Sequence, residues 1–268
     1  KQQQKNNAAG TGSNGGNNSV IPAPQQQGPQ VVLGRFQNPD GSVKMKEKIL
    51  YRYKESVVRV EARDQSGNEL GHAMGIAVGK SPKVYVATTL SLILGNNLQW
   101  ADKINIVYSN NHQAAEKASI AYVDEQLDLV LLSLNNPPEP LPMIRADDER
   151  AQIEVFTIAF KDNPDKSIKP EIYKGSLTGI NRTEGTIVIS GDNLDNNQAG
   201  TAVVTVNGEL TGMLLPNGRG VLSTALLKAM HKAENAVPIP APLLGAIMGR
   251  GVVVDTKLPG AYRSISAA

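Results

Sequence analysis

The chain contains the stretch Asn197-Gln-Ala-Gly-Thr-Ala-Val203, a polar loop that leads into an apolar run. A second apolar run follows Asn207-Gly208, and Asn-Gly between two apolar runs is a strong signal for a β-hairpin. Both central positions of a type I′ turn need positive φ, which Asn and Gly adopt readily. The stretch therefore predicts a loop followed by two paired strands, Ala202–Val206 and Leu210–Leu215.

Similar short apolar runs, each bounded by turn residues, occur throughout the region before this loop, and they predict an all-β domain. The Pro-rich stretch Asn135–Pro142 is typical of a linker and divides these runs into two groups. One amphipathic helix is predicted, at Leu222–Lys232. The predicted strands of the upstream region are Val57–Ala62, Gly75–Val78, Lys83–Thr88, Ile104–Tyr108, Leu129–Leu134, Glu154–Ala159 and Thr186–Ser190.

Four segments carry chemically informative residues in a set order along the chain. They are Thr88-Thr-Leu-Ser-Leu92, the run from Asp124 to Leu132, the 197–203 loop and Gly208-Glu-Leu-Thr-Gly-Met213. Their order and spacing resemble the protease domain of the HtrA (Deg) family over roughly residues 50–232. The resemblance implies an all-β fold, the chymotrypsin/trypsin-like double six-stranded β-barrel, with a short C-terminal helix and disordered tails.

The same resemblance places the triad positions of that family at Ser91, Asp128 and Ala199. Ser91 stands where the family has its general-base histidine, and Ala199 stands where the family has its nucleophilic serine. The triad aspartate is retained as Asp128. Asn197 replaces a glycine whose backbone N–H helps to form the oxyanion hole in the family.

These replacements predict the loss of protease chemistry, because a serine hydroxyl attacks a peptide only when an imidazole removes its proton. We then expect Asp128 to have a structural role, with Ser91 as its hydrogen-bond partner. The chain is predicted to be a pseudoprotease, a catalytically inactive domain that acts as a structural or protein-interaction module and a scaffold. Two alternatives stay open: a hydrolase with a rebuilt site that uses Ser91 or Thr201 with Asp128, and a β-barrel unrelated to the HtrA family.

The three histidines do not fall at the general-base position of this alignment. His72 precedes a predicted strand, His112 lies in a predicted turn at residues 110–112, and His231 lies in the predicted helix. The chain has no His-x-x-x-His pattern and no cysteine. No metal site and no cofactor is therefore expected.

Protein partners are expected, including an extended peptide segment. Proteins of this fold hold such peptides by pairing them with a strand, and the matching candidates here are Gly220, Val221 and Leu222. The alternative is that these residues form only a core strand. A formal net charge of +2 and the scarcity of aromatic residues argue against nucleic acid as a partner.

Composition divides the chain into three parts: a low-complexity flexible tether at residues 1–45, the trypsin-like domain at 46–234, and a Pro-containing extension at 235–268. The first 30 residues have almost no apolar content, so their burial could not offset the entropy of ordering them. Placement in the periplasm or cell envelope is implied by the resemblance alone. A membrane anchor upstream of residue 1 and an oligomeric state are left open.

Overall fold

A computed structural model of the protein describes residues 44–94, 101–108, 111–162, 168–191 and 199–235. The predicted tether up to residue 43 and the predicted extension beyond residue 235 lie outside these residues. Their predicted flexibility and the three domain boundaries therefore stay predictions. Among the described residues, no helix is long and apolar enough to cross a membrane.

The first half of the domain is one antiparallel sheet of seven strands, preceded by helix α1 at Met45–Tyr53. Helix α2, Leu90–Leu94, follows the third strand. The strand order across the sheet is β5-β4-β1-β2-β3-β7-β6. The strands are β1 Val57–Arg63, β2 Glu69–Lys80, β3 Lys83–Thr89, β4 Lys103–Tyr108, β5 Asn111–Lys117, β6 Ser119–Asp124 and β7 Leu129–Ser133.

The second half is a closed six-stranded antiparallel barrel in the order β10-β13-β12-β11-β8-β9. Helix α3, Ser223–Ala233, follows the last strand. Short 3-10 turns occupy Ala146–Asp148 and Pro216–Gly218. The barrel strands are β8 Ile153–Asp162, β9 Ile168–Asn181, β10 Thr186–Gly191, β11 Ala202–Thr205, β12 Leu210–Leu214 and β13 Arg219–Leu222.

The predicted all-β fold class is confirmed, and each predicted strand and the predicted helix is present. Most ends shift by a few residues at most, but the strand predicted at Gly75–Val78 extends over Glu69–Lys80. The first half differs from the predicted six-stranded barrel, because seven strands form a single sheet. The prediction that His112 lies in a turn is also wrong, since this residue is part of strand β5.

The hairpin predicted around Asn207-Gly208 joins β11 and β12, but its turn is not type I′. Of the two residues, only Gly208 has positive φ, 81°, and its N–H donates a hydrogen bond to the Thr205 carbonyl oxygen over 2.9 Å. A Cβ at Gly208 would overlap the ring of Tyr53. Glycine is therefore needed both for the left-handed backbone and for the packing of α1 on this hairpin.

Two apolar clusters fill the domain. The smaller one lies within the first sheet, around residues such as Val60, Ile104 and Leu132. The larger one contains residues from both halves, for example Ile76 of β2 and Ile158 of β8. Burial of both halves in one cluster holds them together, so the loops at their junction have defined positions.

Candidate functional site

The predicted contact between Ser91 and Asp128 is present. The Ser91 N–H donates to Asp128 Oδ1 over 2.7 Å, and the Ser91 hydroxyl donates to Asp128 Oδ2 over 2.9 Å. Strand pairing explains why they meet, since Thr89 at the end of β3 pairs with Leu129 at the start of β7. Leu90, the first residue of helix α2, and Asp128, the residue before β7, are thereby neighbours, and Ser91 follows Leu90 in the first turn of the helix.

The backbone of Asp128 also supports helix α2. Its carbonyl oxygen accepts the Leu90 N–H over 3.1 Å, so two of the first N–H groups of the helix are bonded to this one residue. Its φ is 49°, a left-handed conformation that aspartate tolerates better than most residues. Asp128 therefore acts as a cap for α2, although it lies far from the helix in sequence.

Ala199 lies at the junction of the two halves and is 8% exposed. Its carbonyl oxygen accepts the N–H of Met74 on β2 over 2.9 Å. The next residue, Gly200, has a φ of 81°, and its N–H donates to the carbonyl oxygen of Leu214 over 2.7 Å. A Cβ at Gly200 would overlap the Met74 carbonyl oxygen, so the loop from the barrel is in close contact with β2.

The Met74 carbonyl oxygen accepts a hydrogen bond from the Thr88 hydroxyl over 2.7 Å. The backbone of Met74 thus joins the end of β3 to the loop that carries Ala199. At the position predicted for the nucleophile, the chain presents a methyl group. Asn197, the predicted oxyanion position, lies outside the described residues.

Thr201, the second candidate nucleophile for a rebuilt site, is fully buried. Its side-chain oxygen has no hydrogen-bond partner among the described residues, and its carbonyl oxygen accepts the Leu214 N–H over 2.8 Å. A substrate could not reach this hydroxyl without movement of the surrounding strands. Of the two candidate nucleophiles, Ser91 is the one with an exposed side chain.

His72 takes part in surface hydrogen bonds, whereas His231 lies on helix α3, far along the chain from Ser91. His72 Nδ1 lies 2.7 Å from Glu69 Oε1 and 3.1 Å from an Arg59 guanidinium nitrogen. Burial raises the pKa of Glu69, but the hydrogen bond with His72 and the charge of Arg59 outweigh it and hold that pKa below its ordinary value. Within the described ranges, no group of three or more His, Cys, Asp or Glu side chains could hold a metal ion.

The candidate peptide-binding residues Gly220, Val221 and Leu222 are buried in the middle of the barrel wall. Their strand, β13, is paired with β10 on one side and with β12 on the other. Addition of a peptide as a new strand needs a free edge. These residues do not provide one, so the core-strand alternative describes them better.

A groove elsewhere on the domain was not predicted from the sequence. It has a volume of about 890 Å³ and lies between α1, α3, the turn that joins β2 to β3, and residues 139–143 of the Pro-rich linker. We call it the α1–α3 groove. Its walls come from four separate parts of the chain, so no local sequence pattern could have marked it.

No protein-family model and no curated protein match the chain. Among solved structures, it is similar to Deg5, at 16% sequence identity and a TM-score of 0.56, over 69% of this chain and 91% of Deg5. It is also similar to Rv3671c from M. tuberculosis H37Rv, solved as a serine-to-alanine mutant in an inactive form. That match has 15% identity and a TM-score of 0.51, over 70% of this chain and 92% of the other. Identities this low establish the fold alone, and the chain has a trypsin-like fold.

Proposed function

We propose that the protein is a catalytically inactive trypsin-like domain that acts as a structural or protein-interaction module, in an assembly associated with the cell envelope. The observation that carries this proposal is the pair of hydrogen bonds between Ser91 and Asp128, together with the methyl group at Ala199. Both oxygens of the Asp128 carboxylate are used to hold helix α2. The carboxylate that would orient an imidazole has a structural role instead.

The chemistry of peptide hydrolysis supports this proposal. The reaction needs a nucleophile and a base that accepts its proton and then protonates the leaving amine. Ala199 offers no nucleophile. The Ser91 hydroxyl faces a carboxylate, which is a much weaker base than imidazole near neutral pH. Binding and oxyanion stabilisation without these groups give only a small residual rate enhancement.

Two structural features support a role in protein interaction, and neither depends on catalysis. The loop carrying Ala199 keeps its close contacts with β2, and one apolar cluster still joins the two halves. A protein partner fits a near-neutral chain better than nucleic acid does. The placement at the cell envelope rests on the resemblance to the HtrA family.

Peptide hydrolysis by the purified full chain tests the proposal. A diverse set of unstructured peptides would be incubated with the parent, with Asp128→Ala, with Ser91→Ala and with the Ser91→His/Ala199→Ser double variant, and cleavage would be read by mass spectrometry. We expect no cleavage by the parent. The double variant should cleave peptides faster than either of its single variants. A histidine at position 91 would lie beside Asp128, and a serine at position 199 would restore the hydroxyl.

The single variants Ser91→His and Ala199→Ser serve as matched controls, since each restores only one missing group. Cleavage by the parent that disappears in both Asp128→Ala and Ser91→Ala would overturn the inactive assignment in favour of a rebuilt hydrolase. A double variant no faster than its controls would instead contradict the assignment of positions 91 and 199 to the triad.

A further inference from the structure

Half of the residues that line the α1–α3 groove have aromatic, aliphatic or proline side chains, and apolar atoms make up most of its surface, although charged residues such as Arg52, Lys80 and Glu139 also line it. Its lining includes Tyr53, Tyr85, Pro140, Met143, Leu227 and Met230. Leu227 is 42% exposed, which makes it one of the few large apolar side chains left open to solvent among the described residues. A groove of this composition favours an apolar or proline-containing ligand over a charged one.

The groove is distinct from the triad positions. It touches the Lys83 end of β3, whereas Ser91 follows the other end of that strand. Seven residues of strand separate the two ends, a span of roughly 20 Å. Occupation of the groove is thus independent of whether the triad positions support any chemistry.

The end of helix α3 forms part of the groove's rim. Glu234, just after the helix, lines the groove. Its carboxylate lies 3.6 Å from the ammonium of Lys83, the first residue of β3. The chain therefore leaves α3 directly at the rim, and residue 237 comes only three positions after Glu234. The segment that follows is Val237-Pro-Ile-Pro-Ala-Pro-Leu-Leu-Gly-Ala-Ile-Met248, which carries no charged side chain and has three prolines.

We propose that residues 237–248 bind in the α1–α3 groove of their own chain as an extended, proline-containing segment. Twelve residues in a polyproline II conformation span about 37 Å, which is ample to cross a groove of this volume. Proline fixes φ in advance, so less conformational entropy is lost on binding to an aromatic-lined surface. A tether of one or two residues also gives the segment an effective concentration in the millimolar range or above, which favours its own groove over that of a second copy.

Thiol cross-linking can test this proposal cleanly because the chain has no cysteine. Leu227→Cys on α3 would be combined with Ile239→Cys and treated with a short bismaleimide. The control pair is Lys232→Cys with Ile239→Cys, since Lys232 is exposed on the same helix and nearer to residue 239 along the chain, but does not line the groove. We expect the 227–239 pair to cross-link within one chain at least tenfold faster than the 232–239 pair, the reverse of the order that an undocked tail would give.

Cross-linked dimers as the main product would overturn the proposal in favour of a second copy as the occupant. Equal rates for the two pairs would also overturn it. Hydrogen exchange on the unaltered full chain gives an independent measurement. The amides of Ile239, Leu243 and Leu244 should exchange more slowly than those of Ser264 and Ser266, and a Leu227→Glu variant should remove the difference; equal exchange in the unaltered chain contradicts the docking.

Discussion

At the scale of single residues, Asp128 supports the fold at the position that the resemblance to the HtrA family assigns to the triad aspartate. Its side chain accepts two hydrogen bonds from Ser91, and its carbonyl oxygen accepts one from Leu90. The sequence predicted the Ser91 contact because both positions could be aligned by motif. It could not show that Thr201 is buried, since burial depends on the packing of distant strands.

We expect Asp128→Ala to lower the free energy of unfolding by about 0.5–2 kcal/mol, the range measured for the loss of a helix-capping side chain. Asp128→Asn should lower the free energy of unfolding less than Asp128→Ala does, because the asparagine amide oxygen can still accept the Ser91 N–H and asparagine tolerates positive φ. Urea unfolding followed by circular dichroism would measure both variants.

Asp128→Gly separates the side chain from the backbone, since glycine adopts the φ of 49° without strain but makes neither side-chain bond. It should be more stable than Asp128→Ala and less stable than Asp128→Asn. Equal stability of Asp128→Asn and Asp128→Ala would contradict the capping role.

At the scale of elements, the structure shows which strands a sequence pattern can reveal. Strand β9, Ile168–Asn181, was missed because its sequence includes Pro170, Gly175 and Gly179, which normally mark turns or edges. It forms because it pairs with β8 on one side and β10 on the other. Pairing between distant segments overrides the weak local preference, and no local pattern reports it.

The edge strand β5 and its neighbour β4 anchor the start of the Pro-rich linker. Glu116 Oε1 accepts the N–H groups of Asn135 and Asn136 over 2.8 and 2.9 Å. The Tyr108 hydroxyl lies 3.0 Å from Glu116 Oε2 and 3.0 Å from the Asn136 carbonyl oxygen. Burial, then the hydrogen bond and charge of Glu116, raise the pKa of Tyr108 far above its ordinary value.

This anchor gives the domain a predictable loss of stability at alkaline pH. The folded-state pKa of Tyr108 lies above its unfolded value, so the folded state favours the neutral phenol. The contribution of this phenol to the free energy of unfolding is therefore complete below about pH 10 and is lost as the pH rises towards the folded-state pKa. The advantage of the wild type over Tyr108→Phe in free energy of unfolding should therefore shrink between about pH 10 and pH 11. Urea unfolding at a series of pH values measures it.

Glu116→Gln is the matched control, because it removes the charge and leaves the Tyr108 phenol in place. The loss of stability above about pH 10 should be smaller in Glu116→Gln than in the wild type, because the folded-state pKa of Tyr108 is raised less without that charge. An advantage of the wild type over Tyr108→Phe that stays constant up to pH 11 would contradict the raised pKa.

At the scale of the whole molecule, the two halves differ in topology but share most of their core. The larger apolar cluster joins β2, β3 and β7 of the sheet to the strands of the barrel and to α3. The buried Leu141 of the linker adds to it, and its N–H donates to the Ala77 carbonyl oxygen over 3.0 Å. The triad positions were predicted from short local motifs, whereas the shared core and the α1–α3 groove arise only from assembly.

A shared core predicts that the two halves unfold together. Ile76 of β2 and Ile158 of β8 are both fully buried in the larger cluster, one from each half. Replacement of either by valine removes one methyl group and should cost about 0.5–1.5 kcal/mol. If unfolding is cooperative, Ile76→Val and Ile158→Val should each speed the slowest-exchanging amides of both halves by a common factor, roughly 2- to 13-fold. Faster exchange confined to the half that carries the substitution would show that each half unfolds separately, and that the contacts between them add little to stability.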